Sequence, residues 1–235
     1  MKNRIRMVGF DADDTLWRSE DYFRAAEAEF RTIVGRYVSL EDMGARLYAV
    51  QKRNLALFGY GAKGMALSMI EAAIDITQGK ISAQDIHRIV ALGKGVLQHP
   101  VALLPGVVEA VAAVAVRYEI VLITKGDLFH QEAKVRDSGL ARWFGRIEIV
   151  SEKDLPTYRR LLDEFGVPPE AFVMVGNSLR SDIVPLLELG AWGLHIPYHL
   201  TWQHEQEADV DPGHPRLRVL QQASEIPEAI AALVG

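Results

Sequence analysis

Cysteine is absent from all 235 residues, which excludes disulfides and thiolate chemistry and points to a reducing cytoplasm. No apolar run reaches the roughly 20 residues that a bilayer-spanning helix requires. The N-terminal MKNRIRMVGF turns polar too soon for a signal peptide, so a cytoplasmic protein with no membrane partner is expected. Long basic runs are missing too: 26 basic residues face 31 acidic ones for a net charge of −5, and no nucleic-acid partner is expected. There is no internal repeat and no low-complexity tract, and nothing in the composition specifies an oligomeric state. What is present is ordinary for a soluble globular protein with a well-filled core. Apolar residues make up 49% and charged residues 24%, in one large domain or two modest ones.

The main pattern along the chain is a repeated strand-then-helix unit. Short apolar runs occur at Ile5–Phe10, Ile120–Ile123, Ile147–Val150, Phe172–Val175 and Leu194–Ile196. The second and fourth are nearly continuous in apolar character, as strands buried on both faces should be. Helical stretches over Leu128–Ser138, Leu155–Phe165 and Asp182–Leu189 are each followed by glycine, the expected C-terminal stop. This alternation predicts an α/β fold with a doubly wound parallel sheet. Residues 18–100 break the rhythm, with helices predicted over Glu20–Val34, Leu40–Phe58, Lys63–Thr77 and Ala83–Gln98, and with Ser19 and Ser82 as N-caps. Four such helices read as an all-helical insertion, so residues 1–17 and 101–235 form the core and 18–100 a second unit. Pro105-Gly106 restarts the α/β pattern with a helix over Val107–Val116. Glu205–Pro215 reads as a polar surface loop, followed by a short strand over Arg216–Leu220 and a closing helix over Pro227–Leu233.

The segment Arg6–Trp17, RMVGFDADDTLW, delivers Asp11 and Asp13 into a turn directly after an apolar strand, with Thr15 two residues on. Two carboxylates at one strand end raise each other's cost and can separate in pKa. The pair suits one carboxylate as nucleophile and one as proton shuttle, with a divalent cation absorbing charge. In a doubly wound sheet, ligands bind beyond the carboxyl ends of the strands. That rule places Thr124, Lys125, Gly126 and Asp127 with the opening pair, followed by Lys153 and by Gly176, Asn177, Ser178 and Asp182. Carboxylates, a hydroxyl, an ammonium and an amide at one edge are what a phosphoryl group needs for charge stabilisation and in-line attack.

Over essentially its whole length the chain resembles the haloacid dehalogenase superfamily, in its phosphatase branch with a helical cap of the first type. FDADDTLW is similar to the first motif, DxDxT, and VLITKGD to the second. Lys153 within EKDLPTYRRLL fits the third, and MVGNSLRSDI fits the fourth. The resemblance implies that Asp11 attacks phosphorus to form an aspartyl-phosphate while Asp13 protonates the leaving oxygen and then activates water. It implies Mg²⁺ held by the Asp11 carboxylate, the Asp13 backbone carbonyl and Asp182, with water completing the shell. Thr124, Lys153 and backbone N–H groups around Gly126 would bind the phosphoryl oxygens. The substrate class implied is a small phosphorylated metabolite.

Two residues depart from the family pattern. Asn177 stands where Asp is frequent, and its amide oxygen can still ligate Mg²⁺ or orient a ligating water. Asp154 follows Lys153 where Pro is common, which leaves Lys125 as a rival phosphate-binding lysine, with Lys153 preferred. Other readings on the same fold are a 2-haloacid dehalogenase and a phosphomutase, and outside catalysis a silent binding module. Asp13 and Asp182 argue against the dehalogenase, and Asp11 against the silent module. Asp14 is expected to face solvent or cap a helix, Asp127 to cap the following helix, and Ser181 to cap a helix or touch the metal shell. His195, His199 and His204 lack a zinc pattern, and Trp192, Tyr198 and Trp202 are expected to pack. Within 18–100, glycines 59, 61 and 64 interleave with Phe58, Tyr60 and Lys63, in either a bundle turn or a substrate-facing loop. Trp17 and Arg18 are lesser candidates for that role.

Overall fold

The computed structural model describes residues 5–206 and 210–233. Six strands form a single sheet: β1 (Met7–Phe10), β2 (Glu119–Lys125), β3 (Arg146–Val150), β4 (Phe172–Gly176), β5 (Trp192–His195) and β6 (Leu217–Val219). Their order is β3-β2-β1-β4-β5-β6, and every neighbouring pair is parallel. All four residues of β1 are buried because it lies mid-sheet with both faces covered, which is why its sequence, MVGF, carries no polar side chain.

Nine α-helices accompany the strands among the described residues. They are α1 (Glu20–Val34), α2 (Met43–Phe58), α3 (Ala62–Ile76), α4 (Ala83–Gln98), α5 (Val107–Ala115), α6 (Leu128–Asp137), α7 (Leu155–Phe165), α8 (Val184–Leu189) and α9 (Ile226–Ala232). Side chains alternate across the sheet with the strand period of two. Val8, Phe10, Leu122 and Val175 pack against Val111 and Val114 of α5 and Ile230 of α9. Met7, Ile123 and Met174 pack instead with Leu161 and Leu162 of α7 and Leu186 of α8. The sheet is therefore covered on both faces, a doubly wound α/β fold.

The chain divides into two compact units. Over its described residues the first lies within Met1–Glu20, Val101–Lys125 and Gln131–Gly235, and the second is Asp21–Pro100 with Gly126–His130. The second unit has its own core, centred on Phe30, Ile33, Leu47, Met69, Ala72 and Ile89. There α4 begins at Ser82, whose hydroxyl accepts from Asp85 N–H, and Asp85 in turn accepts from Tyr37 Oη and Arg36. Gly126–His130 groups with the helical unit. Among the described residues, no helix is long and apolar enough to cross a membrane.

Several local expectations need correction. The second helix starts at Met43 rather than Leu40. The helix expected from Asp182 starts at Val184, because Leu179–Ile183 forms a π-helical turn. At the start of α1 the N–H groups of Ser19 and Glu20 donate to the carboxylate of Asp14, the helix-capping course of the two expected for it. Asp14 is buried and its backbone is left-handed (φ 63°), so the carboxyl turns back over the helix start instead of facing solvent. The segment expected as a surface loop from Glu205 begins inside a 3-10 turn, Gln203–Gln206, and Glu205 is drawn into the first unit by a lysine. Residues 207–209 of that loop, and 1–4 and 234–235 of the expected core, lie outside the described residues.

Candidate active site

Strand register sets the positions of the site residues. Phe10 of β1 lies opposite Leu122 of β2 and Val175 of β4, so the residues after these strands emerge side by side. The chain also reverses its direction of strand addition at β1, with β2 on one side and β4 on the other. Such a switch point opens a crevice at the carboxyl ends. Asp11 continues β1 by donating its N–H to Val175 O at 2.9 Å. The carbonyl of Ala12 then accepts from Thr15, Leu16 and Trp17, curling the chain into a tight turn.

The buried Asp11 carboxylate accepts from two side chains, Thr15 Oγ1 at 2.8 Å on Oδ2 and Lys153 Nζ at 2.5 Å on Oδ1. The same ammonium donates to Asp182 Oδ1 at 2.7 Å. The other oxygen of Asp182 accepts from the Ser178 N–H at 3.0 Å. Asp182, expected as a metal holder, is thus the anchor of the lysine. A Cβ on Gly176 would collide with this carboxylate, so only glycine fits there. Between the two competing lysines the geometry is plain. Lys153 lies against Asp11, whereas Lys125 donates to Glu152, Ser181 and Glu205. Asp154, standing where Pro is common, acts locally. Its carboxylate caps α7 by accepting from Thr157 N–H, while Pro156 takes an early helical position.

Asp13 is held more tightly than its sequence context suggests. Lys134 Nζ reaches both of its oxygens, at 2.5 and 2.7 Å, Gln131 Nε2 donates to Oδ2 at 3.0 Å, and Trp17 Nε1 donates to Oδ1 at 2.7 Å. Thr124 is buried at the end of β2, and among the described residues no hydrogen bond engages its hydroxyl, which leaves it available to a ligand. Gly126 follows with φ 142°, a backbone conformation that favours glycine. In the second unit, residues 59–61 make the turn between α2 and α3. Lys63 lies in the first turn of α3, where it pairs with Asp127 at 2.9 Å, and Asp127 also caps α6 through His130 N–H.

A buried carboxylate directly after the central strand, a buried lysine bridging it to Asp182, and a second acid two residues on are thus in place at one edge of a parallel sheet. The sequence matches the model of the haloacid dehalogenase-like hydrolases over residues 5–190. The chain belongs to this family. Compared with the curated proteins, it finds no match. Among solved structures it is similar to a haloacid dehalogenase-like hydrolase from Xanthomonas campestris, with 55% identity and a TM-score of 0.88 over 98% of this chain and 92% of that one. The 2-haloacid dehalogenase of Pseudomonas syringae shares the fold, with 21% identity and a TM-score of 0.64 over 97% and 99% of the two chains. A Bacillus subtilis protein described as a HAD hydrolase, YfnB, solved bound to magnesium, does so at 16% identity and 0.67 over 97% and 99%.

The charges of the hydrolase's site are strongly unequal. Burial, reinforced by Asp182, raises the Asp11 carboxyl to about 7 against the opposing pull of Lys153. Burial raises Asp13 too, but the Lys134 charge and the hydrogen bonds of Lys134, Gln131 and Trp17 outweigh it and leave this carboxyl below the usual range. Burial opposes the charge of Lys153, yet Asp11 and Asp182 hold its ammonium protonated well above the ordinary lysine value.

Three participants went unseen in the sequence. Gln131 and Lys134 share a face of α6 by their spacing of three, and both are buried there although neither is apolar. Two long polar residues turned to the covered side of a helix were a usable signal. Glu205 gave none, since it sits in an irregular polar segment. Its carboxylate accepts from Lys125 at 2.7 Å and from Ser178 Oγ and Ser181 Oγ, each at 2.6 Å. Burial would raise its pKa, but Lys125 and the two hydroxyls bring it down to about 2. The group is depressed below its unfolded value, so its contribution is present above about 4.5 and is lost as pH falls towards 2. That contribution is on the order of 3 kcal/mol. Acid titration of the fold, followed by circular dichroism, should therefore show a smaller loss of stability between these pH values in Glu205→Gln than in wild type.

Proposed function

We propose that this hydrolase is a Mg²⁺-dependent phosphatase of the cytoplasm that cleaves a small phosphomonoester through an aspartyl-phosphate on Asp11. One observation carries the reading. The side-chain amide of Asn177 reaches the Asp13 carbonyl oxygen at 3.2 Å and both Asp11 Oδ2 and Thr15 Oγ1 at 3.3 Å, donating to all three with its NH2 turned inward. Adjacent ligands of octahedral Mg²⁺ at about 2.1 Å stand roughly 3 Å apart, which is close to this spacing. With its oxygen turned inward instead, the amide would join the Asp13 carbonyl and the Asp11 carboxylate as an oxygen donor to a cation, by rotation of one side chain.

Among the described residues no group of three or more His, Cys, Asp or Glu is arranged to hold a metal. The proposed donor set is accordingly mixed: the Asp11 carboxylate, the Asp13 carbonyl, the Asn177 amide and water. Asp182, with both oxygens engaged by Lys153 and Ser178, supports this set from behind. When bound, Mg²⁺ would offset the negative charge that gathers between Asp11 and the phosphoryl oxygens.

The chain's own residues then divide the work. Asp11 attacks phosphorus, its free rotation removed by Thr15 on one oxygen and Lys153 on the other. Lys153, Thr124 and the backbone N–H of Gly126 bind the non-bridging oxygens. Lys125, paired with Glu205, stands outside this set. Asp13 gives a proton to the leaving oxygen and takes one from the water that attacks the aspartyl-phosphate. Its donors, Gln131 and Lys134 in α6 and Trp17, favour the carboxylate form, which suits the second of these steps.

The test is phosphate release across a panel of phosphorylated metabolites, with and without Mg²⁺. Turnover of at least one phosphomonoester, lost on chelation of the metal, supports the reading. No turnover in either condition overturns it, and metal-free chloride release from a 2-chloroacid would replace it with a dehalogenase.

A further inference from the structure

Glu205 makes contacts that the reaction above does not use. It comes from the 3-10 turn Gln203–Gln206 beyond β5, yet it touches groups that follow two other strands. One oxygen accepts from Lys125 at the end of β2, and the other from Ser178 and Ser181 in the turn after β4. Both serines flank the work of Asp182. Ser178 donates its N–H to that carboxylate, and its hydroxyl accepts from Ser181 N–H, closing the π-helical turn that carries Asp182. Tyr158 Oη fastens the same turn by donating to Ser181 O at 2.9 Å. Lys125 also donates to Ser181 Oγ at 2.8 Å, one residue before the anchor of Lys153.

Two lysines therefore converge on one turn, Lys153 on Asp182 itself and Lys125 on the hydroxyl of Ser181 beside it. Lys153 has Asp11 and Asp182. Lys125 has Glu205, largely buried, and Glu152, which is 42% exposed and well screened by solvent. We propose that Glu205 is a positioning residue that sequesters Lys125, keeping this second ammonium from competing with Lys153 for Asp182 and holding the Asp182 turn in its reactive shape. Glu205 needs no contact with substrate for this; it acts through Lys125, Ser178 and Ser181.

The proposal depends on the phosphatase reading only in its kinetic arm. Glu205→Gln keeps the side-chain length and one acceptor oxygen but removes the charge that pairs with Lys125. Hydrogen exchange on the full chain should show the amides of Ser178, Ser181 and Asp182 opening about tenfold faster in E205Q, with the β1 and β2 amides unchanged. On the best phosphomonoester, kcat should fall about tenfold while KM changes by less than about threefold. The deciding variant is E205Q combined with Lys125→Met, since exchanging a buried ion pair for an apolar group is commonly tolerated. If sequestration is the role, removing Lys125 restores both slow exchange and kcat to within about threefold of wild type. A double variant as fast in exchange or as slow in catalysis as E205Q would show a strap without sequestration and overturn the proposal, as would an unchanged E205Q. Glu205→Asp, which keeps the charge, should stay nearer wild type than E205Q in both measurements. It decides the matter in the same direction should E205Q not fold. If wild type turns over no phosphomonoester, the phosphatase reading falls and the exchange arm still decides the role of Glu205.

Discussion

Lys153→Met is expected to lower the unfolding free energy at neutral pH by about 3–5 kcal/mol and to reduce hydrolysis to the limit of detection. The ammonium is fully enclosed and makes short contacts to two carboxylates, Asp11 at 2.5 Å and Asp182 at 2.7 Å. Methionine fills most of the volume but leaves two buried acids facing each other without a cation. Breaking a buried ion pair from one side costs far more than the pair contributes, because the remaining charge keeps its desolvation penalty. Part of that cost should be recovered by adding Asp182→Asn, which removes one of the stranded charges. Denaturant unfolding of the single and double variants checks this. A single variant within about 1 kcal/mol of wild type would show that the two acids share a proton instead of needing the lysine.

Asp11→Asn should behave in the opposite way, losing the reaction while keeping the fold. Removing a nucleophile typically costs about 10³-fold or more in kcat, so hydrolysis by the asparagine variant should be undetectable against background. Stability moves differently. The Asp11 carboxyl sits at about 7 in the fold because burial and Asp182 disfavour its charged form. A group raised above its unfolded value adds stability at low pH and loses it as pH rises from about 4 to 7. Asparagine removes that loss, so the variant should melt no lower than wild type at pH 7.5 and higher relative to wild type than at pH 4. Thermal scans at the two pH values test the sign. A variant that melts lower only at pH 7.5 would mean that the Lys153 contact, not burial, dominates Asp11. Sites that trade stability for reactivity commonly show this pattern.

The sheet and its carboxyl edge were legible because strand burial and ligand chemistry both write local patterns. Phe172–Val175 had to be apolar throughout to lie between two helical layers, and Asp11 stands out as the first charge after such a run. The helical unit was legible for the same reason: α1, α2 and α4 have amphipathic spacing, and Ser82 marks a start that the structure retains. What escaped notice was made of single long side chains acting across the fold. Lys134 meets Asp13 over 121 residues and Glu205 meets Lys125 over 80, distances at which sequence spacing carries no information. The sequence leaves Asp14 between facing solvent and capping a helix, and its left-handed backbone decides for the second by turning it inward over the start of α1. Asp154 shows the converse, since a departure from the family pattern has a purely local cause in the N-cap of α7.

The position of β1 has a consequence for synthesis. It comes first in the chain among the described strands and needs partners on both sides, but β2 begins only at Glu119 and β4 at Phe172. At about 5–20 residues per second, a ribosome leaves this bare, fully apolar strand waiting on the order of ten seconds for its first neighbour. The helices encoded in between have their own core and their contacts are local, so they are suited to fold during that interval. The nascent chain is thus most vulnerable to aggregation through residues 7–10, the strand that leads into Asp11.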